Sequence, residues 1–95
     1  LMDYKMFTAN CSADDNIIDL INKDLIKKGL NNSKGYIRFV GFEGEAGTAF
    51  KINGDQFVIP KVGHFVTPFT GERGEDIYSL YFNNGCTGLN IYYII

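Results

Sequence analysis

The sequence predicts a mainly β protein with one N-terminal helix (α+β), arranged as an antiparallel β-sandwich of jelly-roll-like type with about seven short strands. Residues 13–28 carry apolar side chains at helical spacing. Residues 36–95 show period-two alternation, and turn residues recur about every ten residues. Aromatic residues make up 15% of the chain, as eight Phe and six Tyr without Trp. Phe and Tyr favour pleated, half-buried surfaces, which supports the β prediction.

The composition indicates one globular domain over residues 1–95. A chain of 95 residues is too short for two domains, and its 45% hydrophobic and 21% charged residues are ordinary for a folded protein. The net charge of −2 lacks the basic excess typical of nucleic-acid binding. No apolar run approaches the roughly 20 residues of a membrane span, and no secretion signal is recognisable. We therefore expect no nucleic-acid or membrane partner, and a protein that stays in the cytoplasm or leaves it inside a larger particle.

The N-terminal part predicts a short strand at 4–8 followed by a helix from Ala13 to Lys28. Ser12 is the expected N-cap, and Gly29 supplies the stop. The helix has one apolar stripe, which should cover one face of a sheet. The stripe consists of Ile17, Ile18, Leu20, Ile21 and Leu25.

The remainder of the chain predicts strands separated by turns. The strongest signal is Asn53-Gly54 between two alternating runs, because both residues tolerate positive φ in a tight hairpin. Pro60 should end the second arm, and Pro68 indicates an edge strand or a bulge. The other predicted strands have the sequences YIRFVGF (36–42), HFVTPF (64–69), IYSLYF (77–82) and LNIYYII (89–95).

The residues give no catalytic or metal-binding motif. His64 is the only histidine and should be exposed or structural. Cys11 and Cys86 could pair with each other, but two separate reduced thiols are the favoured interpretation. We predict a protein that is not an enzyme, with no catalytic residue, metal or cofactor.

One acidic loop could supply oxygen ligands to a cation such as calcium. It contains Glu72, Glu75 and Asp76 in the stretch GERGED, which lacks the ligand alternation of an EF-hand loop and includes Arg73. A solvated loop is therefore the favoured interpretation, with these three acids as the candidate ion or ligand loop.

The second half, from Gly47 to Ile95, resembles small structural proteins of tailed bacteriophages and prophages. The resemblance rests on the successive pieces GTAFKINGDQFVIP, GHFVTPF, IYSLYF and NIYYII. The similarity lies in the succession of strands and turns, and it includes no catalytic or ligand-binding motif. It implies a virion-associated or tail-associated structural module, oligomeric and without catalysis, located in the virion or the host cytoplasm, with other virion proteins as further partners.

The last strand raises the question of what covers its second face. One face carries Leu89, Ile91, Tyr93 and Ile95 and should join the core, whereas the other carries Asn90, Tyr92 and Ile94. The helix could cover this second face within a closed monomer, or another subunit could do so. We favour a homo-oligomer, with Tyr92, Ile94, Tyr81 and Tyr78 as the candidate interface.

Three non-enzymatic functions follow from these observations. The first is an assembly module acting through protein–protein contacts. The second is a small carbohydrate-binding module that recognises cell-surface glycans through exposed tyrosines and acidic loops. The third is a phage-encoded inhibitor that binds a host protein through its acidic surface.

Overall fold

The computed structural model describes residues 4–60, 63–66 and 76–95. In this part of the chain the protein is mainly β, with one helix and two antiparallel sheets, as predicted. The predicted strand residues 67–69 and most of the charged loop, through Glu75, lie outside the described residues. The elements are β1 (Lys5–Cys11), α1 (Ile17–Lys27), β2 (Phe39–Glu43), β3 (Ala49–Ile52), β4 (Asp55–Val58), β5 (His64–Val66), β6 (Leu80–Phe82) and β7 (Cys86–Ile94).

The strand pairs are nested within one another along the chain. A four-stranded sheet has the order β1-β7-β2-β5, and a three-stranded sheet has the order β4-β3-β6. The hairpin β3–β4 is innermost, β2–β5 encloses it, and β1–β7 is outermost. In this nesting order, the contact of α1 with β6 lies outside the pair β2–β5 and inside the pair β1–β7. The pairs β2–β7 and β3–β6 complete the two sheets.

The two sheets share one hydrophobic core, in which three phenylalanines make the central contacts. Phe42 of β2 packs edge-on against Phe50 of β3, with ring centroids 5.0 Å apart, and against Phe82 of β6 at 5.3 Å. Such tilted aromatic pairs add to the stabilisation from buried area. The alternation of the strands therefore directs large apolar side chains from both sheets to the same interior.

Helix α1 is confirmed, but it begins at Ile17 rather than at Ala13. Asn16 is the N-cap, and its side chain accepts a hydrogen bond from the Ile18 amide. Ser12, the predicted cap, instead forms a single local turn in which Asp15 accepts from the Ser12 amide at 2.9 Å. A short polar side chain can cap an isolated turn as well as a helix, so the pattern at Ser12 did not define the helix start.

The predicted hairpin at Asn53-Gly54 is confirmed between β3 and β4. Asn53 has φ of 50° and Gly54 of 86°, the left-handed conformation that a two-residue type I′ turn requires. The Asn53 side chain also holds a distant segment: it donates to the Asp76 carbonyl and accepts from the Tyr78 amide, each at 2.8 Å.

The stretch that leads into β6 is held from its other side by Asn16. The Asn16 amide nitrogen donates to the Tyr78 carbonyl at 3.2 Å, and its oxygen accepts from the Leu80 amide at 3.0 Å. These two bonds place a side-chain amide where a neighbouring strand would offer a peptide group. The N-terminus of α1 thus occupies the edge of the smaller sheet.

Candidate interaction surface

The outer face of the four-stranded sheet carries an apolar patch formed by Met6, Tyr92 and Ile94, which we call the outer patch. Met6 of β1 lies directly opposite Tyr92 of β7 in the strand register. Met6 is 48% exposed and Tyr92 45% exposed, while Ile94 is half-buried. Because side chains alternate along a strand, these residues point away from the core that buries their neighbours Ile91 and Tyr93.

The polar part of the same face forms hydrogen bonds between β1 and β7. Thr8, two residues after Met6, donates from its hydroxyl to the Asn90 side-chain oxygen at 2.8 Å. The next side chain along β1, Asn10, accepts from the Gly88 amide at 2.8 Å. The face therefore divides into an apolar half and a polar half that is linked by hydrogen bonds between the two strands, and interfaces likewise have an apolar centre beside a polar rim.

Helix α1 does not cover the outer patch. Its apolar stripe enters the shared core, where Ile17, Ile18, Ile21 and Leu25 are all buried. The sequence left open whether the helix or another chain covers the second face of the last strand. Since α1 packs into the core and Tyr92 keeps 45% of its surface exposed, the helix does not cover this face.

The other two predicted interface residues lie away from the outer patch. Tyr81 belongs to β6 and faces outward from the smaller sheet, opposite Lys51 of β3. Tyr78 precedes β6 and is 58% exposed. The structure therefore brings Tyr92 and Ile94 together, and it separates them from Tyr78 and Tyr81. Met6 was missed, although its place in the alternation of the first predicted strand put it on one face with Thr8.

Tyr78 forms a separate aromatic pair with Tyr36. The ring centroids are 5.3 Å apart with an angle of 60° between the planes, and the Lys34 ammonium lies 5.5 Å from the Tyr36 centroid. The pair flanks an antiparallel bridge in which Ile37 and Ile77 exchange backbone hydrogen bonds. Since the rings are steeply inclined, they do not form the flat platform on which a sugar ring would stack.

The acidic candidates do not assemble into a metal site within the described residues. Glu72 and Glu75 lie outside them, and the Asp76 carboxylate is 3.8 Å from the Arg38 guanidinium. No cluster of three or more histidine, cysteine or acidic side chains with metal-binding geometry occurs in the described ranges 4–60, 63–66 and 76–95.

The two cysteines and the histidine lie in different parts of the larger sheet. His64 is exposed in β5, at the edge opposite β1. Cys11 and Cys86 are instead direct partners across β1 and β7, with their sulfur atoms 3.0 Å apart. The prediction of two separate thiols is thus replaced by a pair of adjacent reduced ones.

Comparison with known proteins gives no family assignment. No protein-family model matches the chain, and no significant match exists among curated proteins or solved structures. Within the described residues, α1 is too short to cross a lipid bilayer, and no other helix there could do so. The outer patch therefore has to be interpreted from its own chemistry.

Proposed function

We propose that this protein is a non-enzymatic assembly module that associates with copies of itself through the outer patch. The observation that carries the proposal is the exposed pair Met6 and Tyr92, which lie side by side on two hydrogen-bonded strands of a rigid sheet. An aromatic residue and a methionine on an otherwise hydrogen-bonded face are the residue types enriched at interface centres. The resemblance of the second half to tailed-phage structural proteins agrees with this role, in a virion or in the host cytoplasm, with other virion proteins as further partners.

The strand order supports the finer prediction of a jelly-roll fold. A jelly roll is a long antiparallel hairpin of eight strands wrapped into two facing sheets, so its pairs are nested. In this chain the nested pairs are β3–β4, β2–β5, α1–β6 and β1–β7, with α1 in the position of the second strand. Viral capsid domains use jelly rolls, and so do lectins and cupins. The fold is therefore compatible with a structural role, and the outer patch provides the functional argument.

The size of the patch predicts a moderate affinity. Burying a large apolar side chain completely contributes roughly 1.5–3 kcal/mol. Met6 and Tyr92 are about half exposed, so covering the rest contributes about 1 kcal/mol each. In a symmetric dimer both subunits present the patch, which gives about 4 kcal/mol from four side chains. A term of this size alone corresponds to a dissociation constant of about 1 mM, so association at high micromolar concentration needs further contacts from the same face, and nanomolar binding is not expected.

The test is a double substitution of the outer patch, Met6→Thr with Tyr92→Thr, because threonine is compatible with an exposed strand position. Size exclusion with light scattering should give a multiple of the 10.7 kDa chain mass for the unmodified protein at high micromolar concentration. The loss of about 4 kcal/mol weakens association about a thousandfold, so the variant should remain monomeric over the same concentration range. Its circular dichroism should remain that of a β-rich fold.

The control is Val58→Thr with Tyr81→Thr on the outer face of the smaller sheet. Val58 is 55% exposed, and Tyr81 is half-buried on the same face. This variant should associate like the unmodified protein. A monomer at every concentration for the unmodified chain, or equal loss of association in both variants, would refute the proposal.

A further inference from the structure

The ends of β1 and β7 hold two thiols in position to react with each other. Cys11 and Cys86 are register partners in an antiparallel pair, and their Sγ atoms are 3.0 Å apart. Directly opposed residues in such a pair have Cα atoms about 4.5–5.5 Å apart, within the range of about 4.4–6.8 Å that a disulfide spans. No backbone movement is needed to bring the sulfur atoms together.

A bulge in β7 creates this pairing. Only Asn10 separates Ala9 from Cys11 in β1, whereas Thr87 and Gly88 both separate Cys86 from Leu89 in β7, so β7 carries one extra residue and Cys11 comes to face Cys86. The Cys86 thiol also lies 3.7 Å from the Ala9 carbonyl. Both cysteines are only partly buried, which leaves the pair within reach of a small reagent.

We propose that Cys11 and Cys86 form a reversible redox clasp that closes on reaction with a low-molecular-weight disulfide such as oxidised glutathione and locks the edge strand β1 onto β7. The clasp does not depend on the proposed self-association, because the thiols lie within one chain. Its predicted action is to stabilise the folded chain under oxidising conditions.

The reaction has two exchange steps. The Cys11 thiolate attacks one sulfur of oxidised glutathione, forms a mixed disulfide and releases one glutathione thiol. The Cys86 thiol then gives its proton to solvent, and its sulfur attacks Sγ of Cys11 and displaces the second glutathione thiol. Two protein thiols are oxidised to one disulfide, and one glutathione disulfide is reduced to two thiols.

The surroundings of Cys86 favour its thiol form, in which it donates to the Ala9 carbonyl at 3.7 Å. Burial, followed by the hydrogen bond and charge of Cys11, raises the pKa of Cys86 to about 12. Since the thiolate is the attacking form, Cys86 is the poorer initial nucleophile at neutral pH. In the mixed disulfide the contribution of the Cys11 thiol is removed, and Sγ of Cys11 lies within reach of Cys86 for the second exchange.

The experiment incubates the folded, unmodified protein in glutathione buffers of increasing oxidised fraction, followed by acid quench, alkylation and intact mass. We expect a monomeric species that has lost two hydrogens and carries no alkyl group. The clasp joins residues 75 positions apart. A disulfide that closes a loop of that length should raise the Tm by roughly 10–20 °C, and a reducing agent should reverse the rise.

Cys11→Ser and Cys86→Ser are the matched controls, and each should stop at a glutathione adduct or remain unreacted, without the rise in Tm. The inference is overturned if both thiols of the unmodified protein remain open to alkylation after oxidation. It is also overturned if glutathione adducts or disulfide-linked dimers accumulate, or if the internal disulfide forms and the Tm does not rise.

Discussion

Asn16 performs two tasks with a single side chain. Its oxygen accepts from the Ile18 amide and so caps α1, and the same oxygen accepts from Leu80 on the edge of β6. Its nitrogen donates to the Tyr78 carbonyl. Asparagine suits this position because its amide both donates and accepts, whereas a serine cap has one hydroxyl to share.

Replacing Asn16 with alanine should destabilise the protein by about 2–4 kcal/mol, which combines a lost helix cap with two lost hydrogen bonds to β6. Asn16→Asp keeps the acceptor but loses the donor to Tyr78, so the stability that it loses should be about half as large. Urea unfolding followed by circular dichroism measures both. If Asn16→Asp were as stable as the unmodified protein, the bond to the Tyr78 carbonyl would contribute nothing, and if it were as unstable as Asn16→Ala, the two bonds accepted by the side-chain oxygen would contribute nothing.

Some residue-level features were accessible from the sequence because they depend on near neighbours. The positive φ of Asn53 and Gly54 was predicted because a two-residue turn demands it locally. The hydrogen bonds from the Asn53 side chain to residues 76 and 78 were not predicted. Their partners lie more than twenty positions away, and no local pattern identifies them.

At the scale of elements, the turn between β6 and β7 approaches β1 closely. Gly85 has φ of 71°, and a side chain there would overlap the carbonyl oxygen of Cys11. Gly88 has a similar φ of 64°, but a side chain there would meet open space. The two glycines share the same conformational requirement and differ in the room around them.

This difference gives a direct comparison of two alanine substitutions. Gly88→Ala should cost about 1 kcal/mol from the left-handed backbone alone. Gly85→Ala should cost about 2–4 kcal/mol, since the backbone of β1 has to move as well. The free energy of unfolding from urea titration tests the order. If Gly88→Ala proves as harmful as Gly85→Ala, the close approach of the turn to β1 is wrong.

Element boundaries show where local reasoning was sufficient. The apolar stripe of α1 was correct because its period is a property of the helix alone. The predicted start of the helix was too early because Ser12 and Asn16 are both acceptable N-caps. The contact of Asn16 with Leu80 of β6 favours Asn16. Strand β2 begins at Phe39 rather than at Tyr36, since Ile37 pairs with Ile77 in an isolated bridge instead.

Across the whole molecule, the dependence of stability on alkaline pH should reflect two groups, the buried Tyr93 and the partly buried Cys86. Burial, and secondarily the charge of Asp24, raises the pKa of Tyr93 above its ordinary value of 10.0. The Tyr93 hydroxyl has no hydrogen-bond partner among the described residues. The pKa of Cys86 is raised from 9.0 to about 12. For both groups the folded state favours the neutral form.

Because both pKa values are higher in the folded than in the unfolded state, the stability they contribute is complete below about pH 9 and is lost as the pH rises through the folded-state pKa of each group, which for Cys86 is about 12. The urea midpoint, measured under reducing conditions from neutral pH to about pH 11, should fall above pH 9. Tyr93→Phe should make the fall above pH 10 shallower and leave neutral stability unchanged or slightly higher.

Tyr92→Phe is the control for this measurement, because it makes the same chemical change at an exposed tyrosine. Its pH profile should follow that of the unmodified protein. A midpoint that stays constant to pH 11, or an identical profile for Tyr93→Phe, would contradict the assignment.

The order of the strands was the part of the fold least accessible from sequence. Alternation defines which residues of LNIYYII share a face, but it does not identify the neighbours of β7. Those neighbours are β1 and β2. The outer patch exists because Met6 and Tyr92 meet across such a long-range pair, which explains why Tyr92 was predicted and Met6 was not.

The nested pairing also affects the order in which the strands can pair during translation. Cys86 follows Cys11 by 75 residues, so at about 5–20 residues per second roughly 4–15 s separate the emergence of β1 from that of its partner β7. The hairpin β3–β4 can close during this interval, whereas β1 has to wait without a strand to pair with. A translation product that stops short of β7 lacks the common neighbour of β1 and β2, so the larger sheet cannot assemble from it.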